Sequence, residues 1–73
     1  MTKYQRAMLQ INEWIAEAAE DDDAPLERGL RQARDVLKGY SKLSGDDTPH
    51  NVQVMKQYNA LVAMAMRNSS KLK

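Results

Sequence analysis

Four groups of residues in this 73-residue chain have types and spacings that could do chemistry. His50 follows Asp46 and Asp47 closely, and an imidazole beside carboxylates is a pairing used in acid–base work. A catalytic set also needs a nucleophile and a site that excludes water. Ser41, Ser44 and Ser69 have no neighbouring base in the sequence, and a loop beside a helix start supplies neither nucleophile nor pocket. The second group, Asp21, Asp22 and Asp23 with Glu20 and Glu27, could attract a divalent cation. Calcium loops, however, alternate their ligands around a central glycine and close with a bidentate acid twelve positions in. That pattern is absent, and a solvated helix junction accounts for the acids better.

The third group is a row of cations, Arg31, Arg34 and Lys38, extended by Lys42. Such a row can touch phosphates or anionic headgroups. An acidic ridge formed by Glu13, Glu17 and Glu20 would answer it equally well on a neighbouring helix, with exposed pairs worth about 0–1 kcal/mol each. The fourth is Met55, Met64 and Met66 with Tyr58, a soft surface of the kind used for partner helices or membrane proteins, or else core filling. With no glycine-rich phosphate loop, the expectation is a protein that is not an enzyme and uses neither cofactor nor metal.

These residues must be positioned by helices. Leu26, Leu30, Ala33, Leu37 and Tyr40 recur at spacings of four, three, four and three, which share one face of an α-helix and no face of a strand. Asp23 can cap the N–H groups of that helix, Pro25 fits its first turn, and Gly39 can end it in the left-handed conformation. Before it, Tyr4, Ala7, Met8, Ile11, Trp14, Ile15 and Ala18 predict a helix over about 3–20, with Thr2 as N-cap and Trp14 as its core anchor. After it comes a loop, SKLSGDDT, whose Leu43 is placed to tuck back as a lid. Thr48 and Pro49 then open a third helix reaching about Asn68. That helix has two apolar rows: Val52, Met55, Asn59, Val62 and Met66, and Val54, Tyr58, Leu61 and Ala65. Together they are wider than one helix contact needs, so the third helix either sits centrally or shows part of its face to a partner.

Composition narrows the class. Eleven Lys and Arg against ten Asp and Glu give a net charge of +1, which argues against a dedicated nucleic-acid binder. The chain has no cysteine, so neither disulfides nor thiolate metal sites are available. The first ten residues lack the apolar core of a signal peptide. The longest apolar run, Ala60 to Met66, is seven residues, far below the roughly 20 needed to span a bilayer. A cytoplasmic protein is expected. The reading is all-α: a single domain, a small antiparallel up-down bundle of three main helices at about 3–20, 24–39 and 49–68, with Lys71-Leu72-Lys73 frayed. Dimerisation through the third helix would add stability to so small a core.

The stretch LERGLRQARDVLKGY resembles the most recognisable segment of the enterocin A-type immunity proteins, which protect producers of pediocin-like bacteriocins. In that family an acidic loop leads into a helix of the form E-x-x-L-x-x-A-x-x-x-L-x-x-G. The pattern falls here on Glu27, Leu30, Ala33 and Leu37, with Gly39 or Tyr40 at the displaced last position. A polar loop and a helix resembling L-x-x-L-x-x-x-A follow in the family, a place filled here by Val54 to Met66 with Tyr58, Leu61 and Ala65. The resemblance covers most of the chain, through motifs of low specificity. It implies an antiparallel four-helix bundle, of which the fourth helix would here be truncated or shortened.

The resemblance further implies a protector that acts from the cytoplasm, peripherally at the inner membrane face. Its target would be the mannose permease that serves as receptor, with bacteriocin bound. The family's C-terminal half sets which bacteriocin is resisted, which directs attention to the loop from Ser41 and to the third helix. No family motif assigns contact residues. Met55, Tyr58, Met66 and Arg67 are expected contacts from exposure and side-chain type, and Arg31, Arg34 and Lys38 from their charge. The alternative is a small helical regulator or antitoxin-like module that binds a protein or nucleic acid.

Overall fold

A computed structural model describes residues 2–41 and 48–69. It contains α1 (Lys3–Glu20), α2 (Ala24–Leu37) and α3 (Pro49–Arg67), the all-α bundle that the periodicities predict. The expected second helix is two residues too long and the third one residue. Leu43, Ser44, Asp46, Asp47 and Lys42 lie outside the described residues, as do Lys71 to Lys73.

Each helix start has a chemical cause. Thr2 and Gln5 form a reciprocal capping box: the Gln5 N–H donates to Thr2 Oγ1 at 3.1 Å, and the Thr2 N–H to Gln5 Oε1 at 3.0 Å. That T-x-x-Q signature was available in the sequence beside the cap itself. Asp23 Oδ1 accepts from the Leu26 N–H at 3.4 Å, and Thr48 Oγ1 from the Asn51 N–H at 3.3 Å. Prolines occupy the first turns of α2 and α3, where a missing N–H costs nothing.

The turn from α1 to α2 is built by the three aspartates. Asp22 is left-handed at φ 55°. The Asp23 N–H returns to the Ala18 carbonyl at 2.9 Å and the Asp22 N–H to the Ala19 carbonyl at 3.3 Å. This is the paired helix-ending motif in which glycine usually supplies the left-handed residue. Gly39, expected in that conformation, is not left-handed. Instead its N–H bonds Val36 and that of Tyr40 bonds Leu37, both at 3.0 Å, so α2 tightens as it stops.

The core joins Ile11, Ile15 and Ala18 of α1 to Leu30, Ala33 and Leu37 of α2 and Tyr58 and Ala65 of α3. Trp14 packs beside this cluster, partly exposed, so the core anchor of α1 is the fully buried Ile11 rather than Trp14. Tyr4 near the start of α1 stacks on Tyr40 after α2, ring centroids 5.6 Å apart. At the opposite end Trp14, Leu26 and Met66 line one cavity. These neighbours run α1 and α2 antiparallel and bring α3 back beside α1. The middle position belongs to α2, which packs against both others. Among the described residues no Cα of α1 lies within 8 Å of one in α3. The two are linked across that seam by the Tyr58 hydroxyl, which donates to the Ala7 carbonyl at 3.5 Å.

The α2–α3 approach is close at Gly29. A Cβ added there would stand 2.6 Å from the Ala65 Cβ, closer than two carbons can sit. Farther along, the fully buried Asn51 side chain grips the chain after α2. Its Oδ1 accepts from the Ser41 N–H at 2.8 Å, and its Nδ2 donates to the Ser41 carbonyl at 2.9 Å. An amide thus pairs a backbone segment that has no helix or strand to satisfy it.

Candidate interaction surface

With α2 central, α3 buries most of one row in the core and packs most of the other, partly exposed, against its edge on the side of α1. Val54, Tyr58 and Ala65 are buried. Met55, Val62 and Met66 are partly buried, and Val52 is 49% exposed. Tyr58 was expected at the surface as a partner contact. Only 5% of it is exposed, and it belongs to the core. Its polar end reaches Ala7 while the ring fills the space between α1 and α3, the use that burial favours for an aromatic with one hydroxyl. Burial also raises the phenol above its ordinary pKa of 10.0. Met55 and Met66 border the seam, and Arg67 is exposed at the end of α3.

On a different side of α3 Met64 is 53% exposed, and on α1 Leu9 is 56% exposed. Leu9, Met8, Tyr4 and Gln5 line a shallow apolar depression of about 520 Å³. The wide apolar surface expected of α3 is therefore split between core, seam and solvent, and α1 adds apolar surface of its own near its start.

The expected pairing of the cation row with the acidic ridge of α1 does not occur among the described residues. Arg31 pairs with Glu27 at 2.6 Å and Lys38 with Asp35 at 3.6 Å, both within α2. Arg34 alone reaches α1, donating from Nη1 to Asn12 Oδ1 at 3.0 Å, with its Nε buried and without a hydrogen-bond partner. The i,i+3 and i,i+4 geometry of α2 brings its own acids closer than those of a neighbouring helix. Arg31 and Lys38 remain exposed, while Arg34 is held down along its stem.

The other candidate groups resolve into structure. His50 Nε2 lies 2.8 Å from the Gly39 carbonyl, so in the tautomer that donates, the ring ties the start of α3 to the end of α2. Among the described residues no group of three or more histidines and acids is placed to hold a metal ion. No described helix is long and apolar enough to cross a membrane. Asp23, Asn51 and Ser69 are buried polar residues, and their burial has no signal in the sequence. The Ser69 hydroxyl donates to Asp23 Oδ2 at 2.5 Å, tying the end of α3 to the start of α2. Asp23 was visible as a cap; nothing local announces a partner 46 positions away.

Comparison with known proteins finds no family model, no curated protein and no solved structure that matches this chain.

Proposed function

We propose that this chain is a non-enzymatic interaction module that confers bacteriocin immunity. In this reading it protects a cell making a pediocin-like bacteriocin by acting, from the cytoplasm, on the complex of that bacteriocin with its membrane sugar permease. The observation that carries the reading is the second apolar row of α3: Met55, Val62 and Met66 pack against the core yet stay partly exposed, and Val52 is 49% exposed. Methionines adapt their shape to an apolar partner at little cost, and a partly exposed apolar row at the edge of a small core offers a partner surface to cover. Arg67, exposed at the end of α3, adds a charge beside it. The resemblance of Glu27 to Tyr40 to the immunity-protein helix supplies the biological assignment.

The test is to express the protein in a strain sensitive to pediocin-like peptides and to measure growth inhibition across a panel of them. Selective protection against one or two peptides is the expected result. Absence of protection across the panel, with folded protein present in the cells, would overturn it. A homodimer is the competing use of the same row, and sedimentation at increasing concentration distinguishes it. The regulator reading draws on Arg31, Arg34 and Lys38. It has less support, because two of these cations are paired within α2 and the third lies against Asn12. A nucleic-acid site would need that charge free to replace counterions.

A further inference from the structure

Where the end of α1, the start of α2 and the end of α3 converge, they leave a cavity of about 270 Å³. Leu26 and Leu30 of α2 form apolar wall, Trp14 of α1 and Met66 of α3 line it as well, and Glu17 and Asp21 bring carboxylates to it. Trp14, Glu17 and the C-cap Asp21 follow one another at spacings of three and four, so one face of α1 and its cap presents an indole and two acids in sequence. Both acids are exposed, and neither has an ion-pair partner among the described residues. The cavity is smaller than the 300–1,000 Å³ or so typical of sites for drug-sized ligands. It suits one long side chain.

From this we infer that the cavity receives an arginine side chain presented by a partner protein. Each part of that side chain meets its complement. The three-carbon stem lies against the partly exposed Leu26 and Met66, in the way that long charged side chains bury their stems while the head stays near water. The planar guanidinium stacks on Trp14, which offers the best aromatic face for a cation. Its fork of N–H donors then meets Glu17 and Asp21, to which it can donate in pairs. Lysine fits less well, because a compact, strongly hydrated ammonium neither stacks nor forks. Charge complementarity thus selects one occupant for a surface that shape alone would leave open. The inference shares Met66 with the row of α3 that carries the immunity reading, but its test reads Trp14, Glu17 and Asp21, so the two can fail separately.

Trp14 is the only tryptophan in the chain, so its emission reports on this cavity alone. The probe is butylguanidinium, an arginine side chain with one further carbon in the place of Cα, titrated into the full chain and followed by Trp14 fluorescence and by amide chemical shifts. The expected result is a saturable change in the millimolar range, with shifts confined to the neighbourhood of Trp14, Glu17 and Asp21. A Glu17→Gln, Asp21→Asn double variant changes only exposed groups, and it should bind about tenfold more weakly with an unchanged circular dichroism spectrum. Butanol, with the same stem and no charge, should give no saturable response. The proposal is overturned by an equal response to butanol, by undiminished binding in the double variant, or by no saturable response at all. It is also overturned if binding appears only after Lys71→Ala and Lys73→Ala, since the cavity would then serve the chain's own lysines.

Discussion

Tyr58 shows how much a single side chain decides here. Its ring closes the gap between α1 and α3, and its hydroxyl meets the Ala7 carbonyl at a long 3.5 Å. Losing that weak bond in Tyr58→Phe should cost about 1 kcal/mol or less at neutral pH. The larger signature is in alkali. Burial raises the phenol pKa above 10.0, so the folded chain keeps the phenolic proton at pH values where the unfolded chain releases it. The neutral phenol's contribution is therefore complete below about pH 10 and is lost as pH rises through that value toward the folded-state pKa. Denaturant unfolding of both proteins from about pH 8 to pH 11 should show a constant difference at first and then a wild type that loses ground to the variant. A difference that stays constant throughout would mean that the phenol is solvated in the folded protein.

At the scale of elements, the turn from α1 to α2 carries a cost that glycine would remove. Asp22 adopts the left-handed backbone at φ 55°, which costs an ordinary residue about 1–2 kcal/mol and aspartate somewhat less. Its carboxylate also sits at the C-terminus of α1, where negative charge opposes the helix dipole by about 0.3–1 kcal/mol. Glycine would relieve both terms but lose roughly 0.5–1 kcal/mol of backbone entropy on folding. Asp22→Gly should therefore stabilise the protein by about 0.5–1 kcal/mol in a thermal or denaturant melt. Asp22→Ala removes the charge and keeps the Cβ, so it should gain less. If the two variants melt together, the backbone conformation contributes nothing to the difference. The residues that form this turn were legible as a helix break, because three adjacent carboxylates suit the start of α2 and not the end of α1. Which of them turns left-handed was not. Gly39 was the better local candidate, and the geometry of the connection chose Asp22.

For the molecule as a whole, the bundle is set by the close crossing of α2 with α3. Gly29→Ala should raise helix propensity by about 1 kcal/mol, yet it pushes a methyl to 2.6 Å from the Ala65 Cβ. Overpacking of this kind costs about 1–3 kcal/mol, and a net destabilisation of about 1 kcal/mol is expected. Combining it with Ala65→Gly should recover part of the loss, giving a coupling of about 1 kcal/mol or more in a double-mutant cycle. Additive effects would place the two helices farther apart in solution. Helix number, helix ends to within two residues and most core positions could be read from apolar spacing, because burial on a helix imposes that period. The order of helices across the bundle could not. Nothing local distinguishes α2 from α3 as the middle helix except Gly29, whose meaning depends on Ala65, 36 positions away. The same limit explains Tyr58, a plausible surface aromatic by type, and Asn51, a polar residue that the fold buries completely.

Asp23 is where these scales meet. Its N–H finishes α1 at the Ala18 carbonyl, its Oδ1 begins α2 at Leu26, and its Oδ2 receives the Ser69 hydroxyl from the far end of α3. Helix ends ordinarily fray one at a time, each at its own small free energy. Here fraying any one of the three disturbs a carboxylate or amide that the other two depend on. The amides around Ala18, Leu26 and Ser69 should consequently exchange with solvent together, as one opening event, and that end of the bundle should behave as a single latch.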